Sequence, residues 1–143
     1  MTGERPEKFA GEAMAKWRRE FAELFPDVGK RLNGDNKSIH AAFIELRCEL
    51  RGRLAVGDRE FLRRMSLFAE SCLESKNELF INAVYTCLLE HVFQDVPESQ
   101  YPAIRPYLTP RMLNAIETWG FSKIPDAFKK IMQYSLSTIR TLE

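Results

Sequence analysis

Glycine is scarce in this chain and histidine almost absent. The glycines are Gly3, Gly11, Gly29, Gly34, Gly52, Gly57 and Gly120. No two are close enough to shape a loop whose backbone N–H groups could cradle a phosphate, which argues against nucleotide chemistry. His40 and His91 are the only two histidines, so few side chains titrate near neutral pH to serve as acid or base. The cysteines, Cys48, Cys72 and Cys87, are odd in number and widely spaced. That pattern makes neither a disulfide framework nor a zinc ribbon. Three reduced thiols in a reducing cytosol are expected. A Cys72–Cys87 bridge stays open, because both fall on neighbouring predicted helices.

Net charge is lacking too. At +1 over 143 residues no global field draws the protein to nucleic acid or to a membrane. Met1 to Phe9 mixes charges of both signs with no apolar run, so no signal peptide is expected. The longest strongly apolar stretch, Leu79 to Phe93, is interrupted by Asn82, Thr86, Glu90 and His91. It is too short and too polar to span a bilayer. A cytoplasmic protein is the expectation. Sustained apolar–polar alternation between hairpin turns is also missing, so no sheet is expected.

What is present is helical periodicity and enough apolar residues, at 45% with ten Phe, to fill a core. Residues 1–143 read as one all-α domain of about six helices, with no linker or low-complexity segment. The first helix spans Pro6 to Phe25, with Phe9, Ala13, Trp17, Phe21 and Leu24 on one face and Pro26 ending it. Val28 to Lys37 reads as loop. Ser38 caps the second helix, whose stripe is Ile39, Phe43, Leu46, Leu50 and Leu54. After Gly57, Asp58 caps the third, which turns Phe61, Leu62, Met65, Phe68, Ala69 and Cys72 inward.

Ser75 with Glu78 reads as the capping box of a fourth helix. Between Lys76 and Phe93 that helix is apolar nearly all round, so it is expected at the buried centre of the fold. Its single polar stripe is Glu78, Asn82, Thr86 and Glu90. Pro97, Pro102 and Pro106 mark a loop. Thr109 caps the fifth helix, with Pro110 at its first position and Gly120 as its stop. The last helix follows Pro125 with Phe128, Ile131, Met132, Ser135, Ile139 and Leu142. The short connections suggest antiparallel neighbours, in a bundle or a short stack of helical hairpins.

Charge is unevenly divided along the chain. Met1 to Arg64 is net +3 and Tyr101 to Glu143 is net +3. Met65 to Gln100 is net −5, with Glu70, Glu74, Glu78, Glu90, Asp95 and Glu98 against Lys76 alone. An acidic surface suits an inhibitor that occupies a cationic cleft, and it raises the encounter rate. These six acids, with Tyr101 and Tyr107 as exposed aromatic anchors, are the candidate partner-binding residues. The plainer reading is a solvated face balanced by arginines. The competing feature is Arg47, Arg51, Arg53, Arg59, Arg63 and Arg64 within eighteen residues, a surface that could grip phosphates. Glu45, Glu49, Asp58 and Glu60 dilute it, so pairing within the chain is the commoner outcome.

Catalytic constellations are thin. Cys87 and His91 share a helix face at i and i+4, so a thiolate–imidazole pair is geometrically possible, and Cys72 could join them as a third metal ligand. The plainer reading is a histidine at the wet end of a core helix, hydrogen-bonded to a loop carbonyl. No His-Glu-x-x-His spacing occurs. No catalytic residue, metal or cofactor is expected.

Three stretches carry a resemblance: GDREFLRRMSLFAESCLES from Gly57 to Ser75, NAVYTCLLEHVF from Asn82 to Phe93, and YLTPRMLNAI from Tyr107 to Ile116. The chain resembles a small bacterial helical family of uncharacterised function. The resemblance implies a cytoplasmic helical domain without established activity, of a kind that often looks like immunity proteins. The expected function is therefore non-enzymatic: binding and occluding a cognate toxin domain, possibly a nuclease. A nucleic-acid-associated or regulatory role through the arginines is the alternative.

Overall fold

The computed structural model describes residues 16–32, 38–119 and 124–132. The expectations for Pro6 to Ala15, for Gly34 to Asn36, for Gly120 and for Ser135, Ile139 and Leu142 lie outside these residues, as does the side chain of Trp119. The described residues form helices, 3-10 turns and connections with no strand, and the fold is all-α.

Chain order is as follows. Helical residues 16–24 (α1) lead into Pro26–Gly29 (α2) and a 3-10 turn at Lys30–Leu32. Ile39–Ala55 (α3), Arg59–Glu74 (α4) and Glu78–Cys87 (α5) are the long elements. Val92–Asp95 (α6), Tyr101–Ile104 (α7), Pro110–Trp119 (α8) and residues 126–132 (α9) follow, with 3-10 turns at Leu89–His91, Glu98–Gln100 and Arg105–Tyr107. These are more segments than the six expected. The difference lies in two stretches read as loop and in α6, which a break at Leu88 separates from α5. The first helix ends before Pro26, as expected, but Pro26 also begins α2, and Pro102 and Pro106 sit in the first turns of short helical elements. There the missing N–H costs nothing.

The helix starts follow from local chemistry. Ser38 Oγ accepts from the Ala41 N–H at 3.0 Å, Asp58 Oδ1 from the Phe61 N–H at 3.1 Å, and Thr109 Oγ1 from the Met112 N–H at 3.2 Å. Each satisfies a donor that the first turn leaves unpaired. Between α3 and α4 the Asp58 N–H donates to Arg53 O and the Gly57 N–H to Leu54 O. This Schellman closure needs a left-handed residue, and Gly57 has φ +70°. The fourth helix starts differently from the expected capping box. Asn77 is its cap, accepting from the Leu79 N–H at 3.0 Å. Ser75 closes α4 instead, its hydroxyl donating to Cys72 O at 2.7 Å.

α3, α4 and α5 pack on one another pairwise, α6 lies against α3, and α8 lies against α4 and the Leu89–His91 turn. The expected helix from Lys76 to Phe93 is not continuous. It breaks at Leu88, with φ −122° and ψ −66°, and resumes after a 3-10 turn. Nor is it buried all round, since Leu79 is 49% exposed.

One apolar cluster gathers residues from Trp17 to Phe128. Its N-terminal part is aromatic. Phe68 lies 5.3 Å from both Phe21 and Phe43 and 6.3 Å from Phe25, and Phe25 lies 5.4 Å from Phe61. A second aromatic group joins Phe93, Tyr101 and Phe128, with centroids 4.9 to 5.7 Å apart. Edge-to-face contacts of this kind add to the burial of ring area.

Candidate functional site

The acidic residues singled out in the sequence divide into two groups. Glu70 and Glu74, one turn apart near the end of α4, both meet Arg111 in the first turn of α8, at 3.4 and 3.9 Å. Glu70 also accepts from the Thr109 hydroxyl. It is largely covered, and it clamps the start of α8 onto α4. Asp95 is likewise occupied, by Arg47 Nε at 2.5 Å across the α3–α6 contact. Intramolecular pairs occupy Glu70 and Asp95, which are poor candidates for a partner's cations, whereas Glu74 stays exposed with Arg111 only at 3.9 Å.

Glu78, Glu90 and Glu98 form the second group, with no cation partner among the described residues. Glu78 and Glu98 are exposed and Glu90 is half-buried. The break at Leu88 displaces Glu90 from α5, so the polar stripe keeps Glu78, Asn82 and Thr86 on that helix and continues only in the turn beyond it. Tyr101 is not the exposed anchor that its neighbours suggest. It is 6% exposed, enclosed by Phe93 and Phe128, and so is a core residue, not a surface anchor. Burial, with the nearby Glu98 charge, raises its phenol pKa. Tyr107 is half-buried.

Beside the stripe lies a surface that the sequence did not mark. Ile44 on α3 is 46% exposed, and Leu79 on α5 is as open. His40 and Ile44 are one turn apart on α3; Leu79, Asn82 and Thr86 share one face of α5. The Asn82 amide nitrogen lies 3.5 Å from His40 Nε2, which joins the two rows. The result is a face with two open aliphatic side chains, polar groups between them and the unpaired Glu78 carboxylate at one edge. Ile44 carried one signal: it is apolar yet out of register with Ile39, Phe43, Leu46 and Leu50.

The arginines are mostly consumed within the chain. Arg53 reaches Asp58 at 2.8 Å and Glu49 at 3.3 Å, with its guanidinium 4.9 Å over the Phe61 ring. Arg63 and Arg64 share Glu60 at 2.6 and 2.9 Å, and those two cations lower the Glu60 pKa to about 2. Arg64 also donates to Leu24 O at 3.0 Å. Arg31 bridges Glu45 and Glu49, and its hydrogen bond holds Glu49 below the usual carboxylate range. Of the six clustered arginines, only Arg51 and Arg59 have no carboxylate partner among the described residues.

The thiol–imidazole candidates are not assembled. Desolvation, reinforced by the Glu20 charge, pushes the buried Cys72 thiol up to about 12, the opposite of what a nucleophile needs. Cys87 is buried with its sulfur 3.6 Å from the Thr86 hydroxyl, and His91 Nδ1 faces Gln94 Oε1 at 3.3 Å. All three thiols are free. Among the described residues no three His, Cys, Asp or Glu converge as metal ligands, and no helix is long and apolar enough to cross a membrane.

Residues 17–122 match a family described as a domain of unknown function, DUF7674. The chain belongs to that family. Its matched segment contains all three stretches that carried the resemblance, the face of α3 and α5, and the clamp between α4 and α8. No curated protein and no solved structure matches the chain.

Proposed function

We propose that this DUF7674 chain is a non-enzymatic protein-binding protein. In its sharpest form the proposal is an immunity protein of a bacterial cytoplasm that occludes a cognate toxin. One observation carries it: the α3–α5 face, where Ile44 and Leu79 stand open and the unpaired Glu78 adjoins Leu79. Aliphatic groups rimmed by polar and acidic side chains are the chemistry of an interface that excludes water at its centre and steers a basic partner at its edge. The remaining acids extend the same sign of charge, with Glu90 beyond the Leu88 break and Glu98 in the loop after α6. The internal pairing of four of the six clustered arginines weakens the nucleic-acid alternative, since phosphate binding needs cations free to release counterions.

The test is functional. Genes neighbouring this one would be expressed singly in a host, and any that arrest growth would be co-expressed with this protein. Relief of arrest, together with a stoichiometric complex, supports the proposal. A double substitution, Ile44→Ser with Leu79→Ser, is expected to weaken that complex by at least about tenfold, as truncation of central interface groups does, while its circular dichroism stays native. Absence of any relieved toxicity, or a double variant that protects as well as the parent, overturns the reading.

A further inference from the structure

A second feature lies on another side of the molecule. Pro110, Leu113, Asn114 and Glu117 follow one another at i, i+3, i+4 and i+7, the face of α8 opposite buried Met112, Ala115 and Ile116. Along this face, against Leu108, Ile124 and Met132, runs a cleft of about 520 Å³, within the size range of small-molecule sites. Its middle is aliphatic. Arg105 lines one end, in the turn before α8, and Glu117 lines it two helical turns along.

Arg105 is the unusual member. Its Nε is buried and has no hydrogen-bond partner, and no described carboxylate pairs with the guanidinium. Arg105 as a whole is half-buried, but a buried N–H without an acceptor is unfavourable, and nearly all such groups in folded proteins find a partner. At the start of α8 Thr109 takes the Met112 N–H, the Leu113 N–H goes to Thr109 O, and Pro110 has none to give. Among the described side chains lining the cleft, the buried donor without an acceptor is Arg105 Nε.

We propose that this cleft is a binding site for a small anionic amphiphile, a carboxylate on an aliphatic body. The carboxylate accepts from Arg105, and the aliphatic body lies over Leu113 and Met132. Glu117, at the far part of the cleft, repels a second negative group and so selects a monoanion with an uncharged tail. This site is separate from the α3–α5 face.

Decanoate, decanol and decyltrimethylammonium, titrated calorimetrically into the full-length protein below their micellar concentrations, test the assignment. Decanoate is expected to bind once per chain, and more tightly than either of the other two. Arg105→Met, which keeps the aliphatic stem, is expected to weaken decanoate at least about tenfold, the worth of one hydrogen bond to a charged group, and to leave decanol unchanged. Leu113→Trp, which fills the cleft, is expected to abolish both. Thermal unfolding of each variant establishes that it is folded. Failure of decanoate to saturate the parent protein overturns the proposal. Equal binding of decanoate and the ammonium compound overturns the role of Arg105.

Discussion

Cys72 illustrates how far burial alone sets the chemistry of a side chain. Its thiol lies in the core between α4 and its neighbours, and ionising it would place a charge in apolar surroundings. Cys48, by contrast, is exposed on α3. With a thiol-specific alkylating agent at neutral pH, the native protein is expected to modify at Cys48 rapidly and at Cys72 only on unfolding. Mass spectrometry of a time course checks this, and fast labelling of Cys72 in the native state would contradict its place in the core. The residue scale is also where reading the sequence met its limit. Tyr101, between Gln100 and Pro102, has the neighbours of an exposed residue. It is buried because Phe93 and Phe128 close over it, and Phe128 is a contact from a distant helix. Glu70 and Asp95 looked like members of a free acidic block for the same reason. Their partners, Arg111 and Arg47, lie far along the chain in either direction.

Elements were legible wherever their signals are local. Ser38, Asp58 and Thr109 cap the helices that follow them, and Gly57 turns the chain between α3 and α4, because each acts on backbone groups within a few residues. The break at Leu88 carried no such signal. Neither glycine nor proline marks it, and Leu88, Leu89 and Val92 are all buried, so packing on several neighbours at once outweighs the helical preference of an apolar run. Asn77 displaced Ser75 as the cap because Ser75 is used to finish the preceding helix. Thr109 has two tasks, capping α8 and donating to Glu70. Thr109→Ala removes both and leaves Glu70 with Arg111 alone. A loss of about 1–2 kcal/mol is expected, and Thr109→Ser restores most of it. Urea unfolding of the three proteins measures the difference; indistinguishable midpoints for threonine and alanine would contradict the clamp.

Across the whole molecule, all-α architecture and an apolar core followed from periodicity and composition. The candidate surface did not, because which residues remain free is decided only when helices meet. The core is continuous, so damage at its aromatic centre is felt globally. Phe68, held among Phe21, Phe25 and Phe43, has little room for neighbours to close a void. Phe68→Ala is expected to cost about 3–5 kcal/mol and to lower every unfolding signal together. A loss under about 1 kcal/mol in calorimetry and denaturant titration would mean that the aromatic cluster is not the structural centre.

The two aromatic groups differ in how far apart along the chain their members lie. α3, α4 and α5 meet through two three-residue connections, so their association closes small loops. Phe93 and Tyr101, in contrast, must wait for Phe128, across a much longer loop whose closure costs more entropy. The helical hairpin around Gly57 is therefore expected to nucleate assembly, with docking of α9 following. The C-terminal aromatic group acts as a late latch, one that governs how quickly the molecule comes apart more than how quickly it forms.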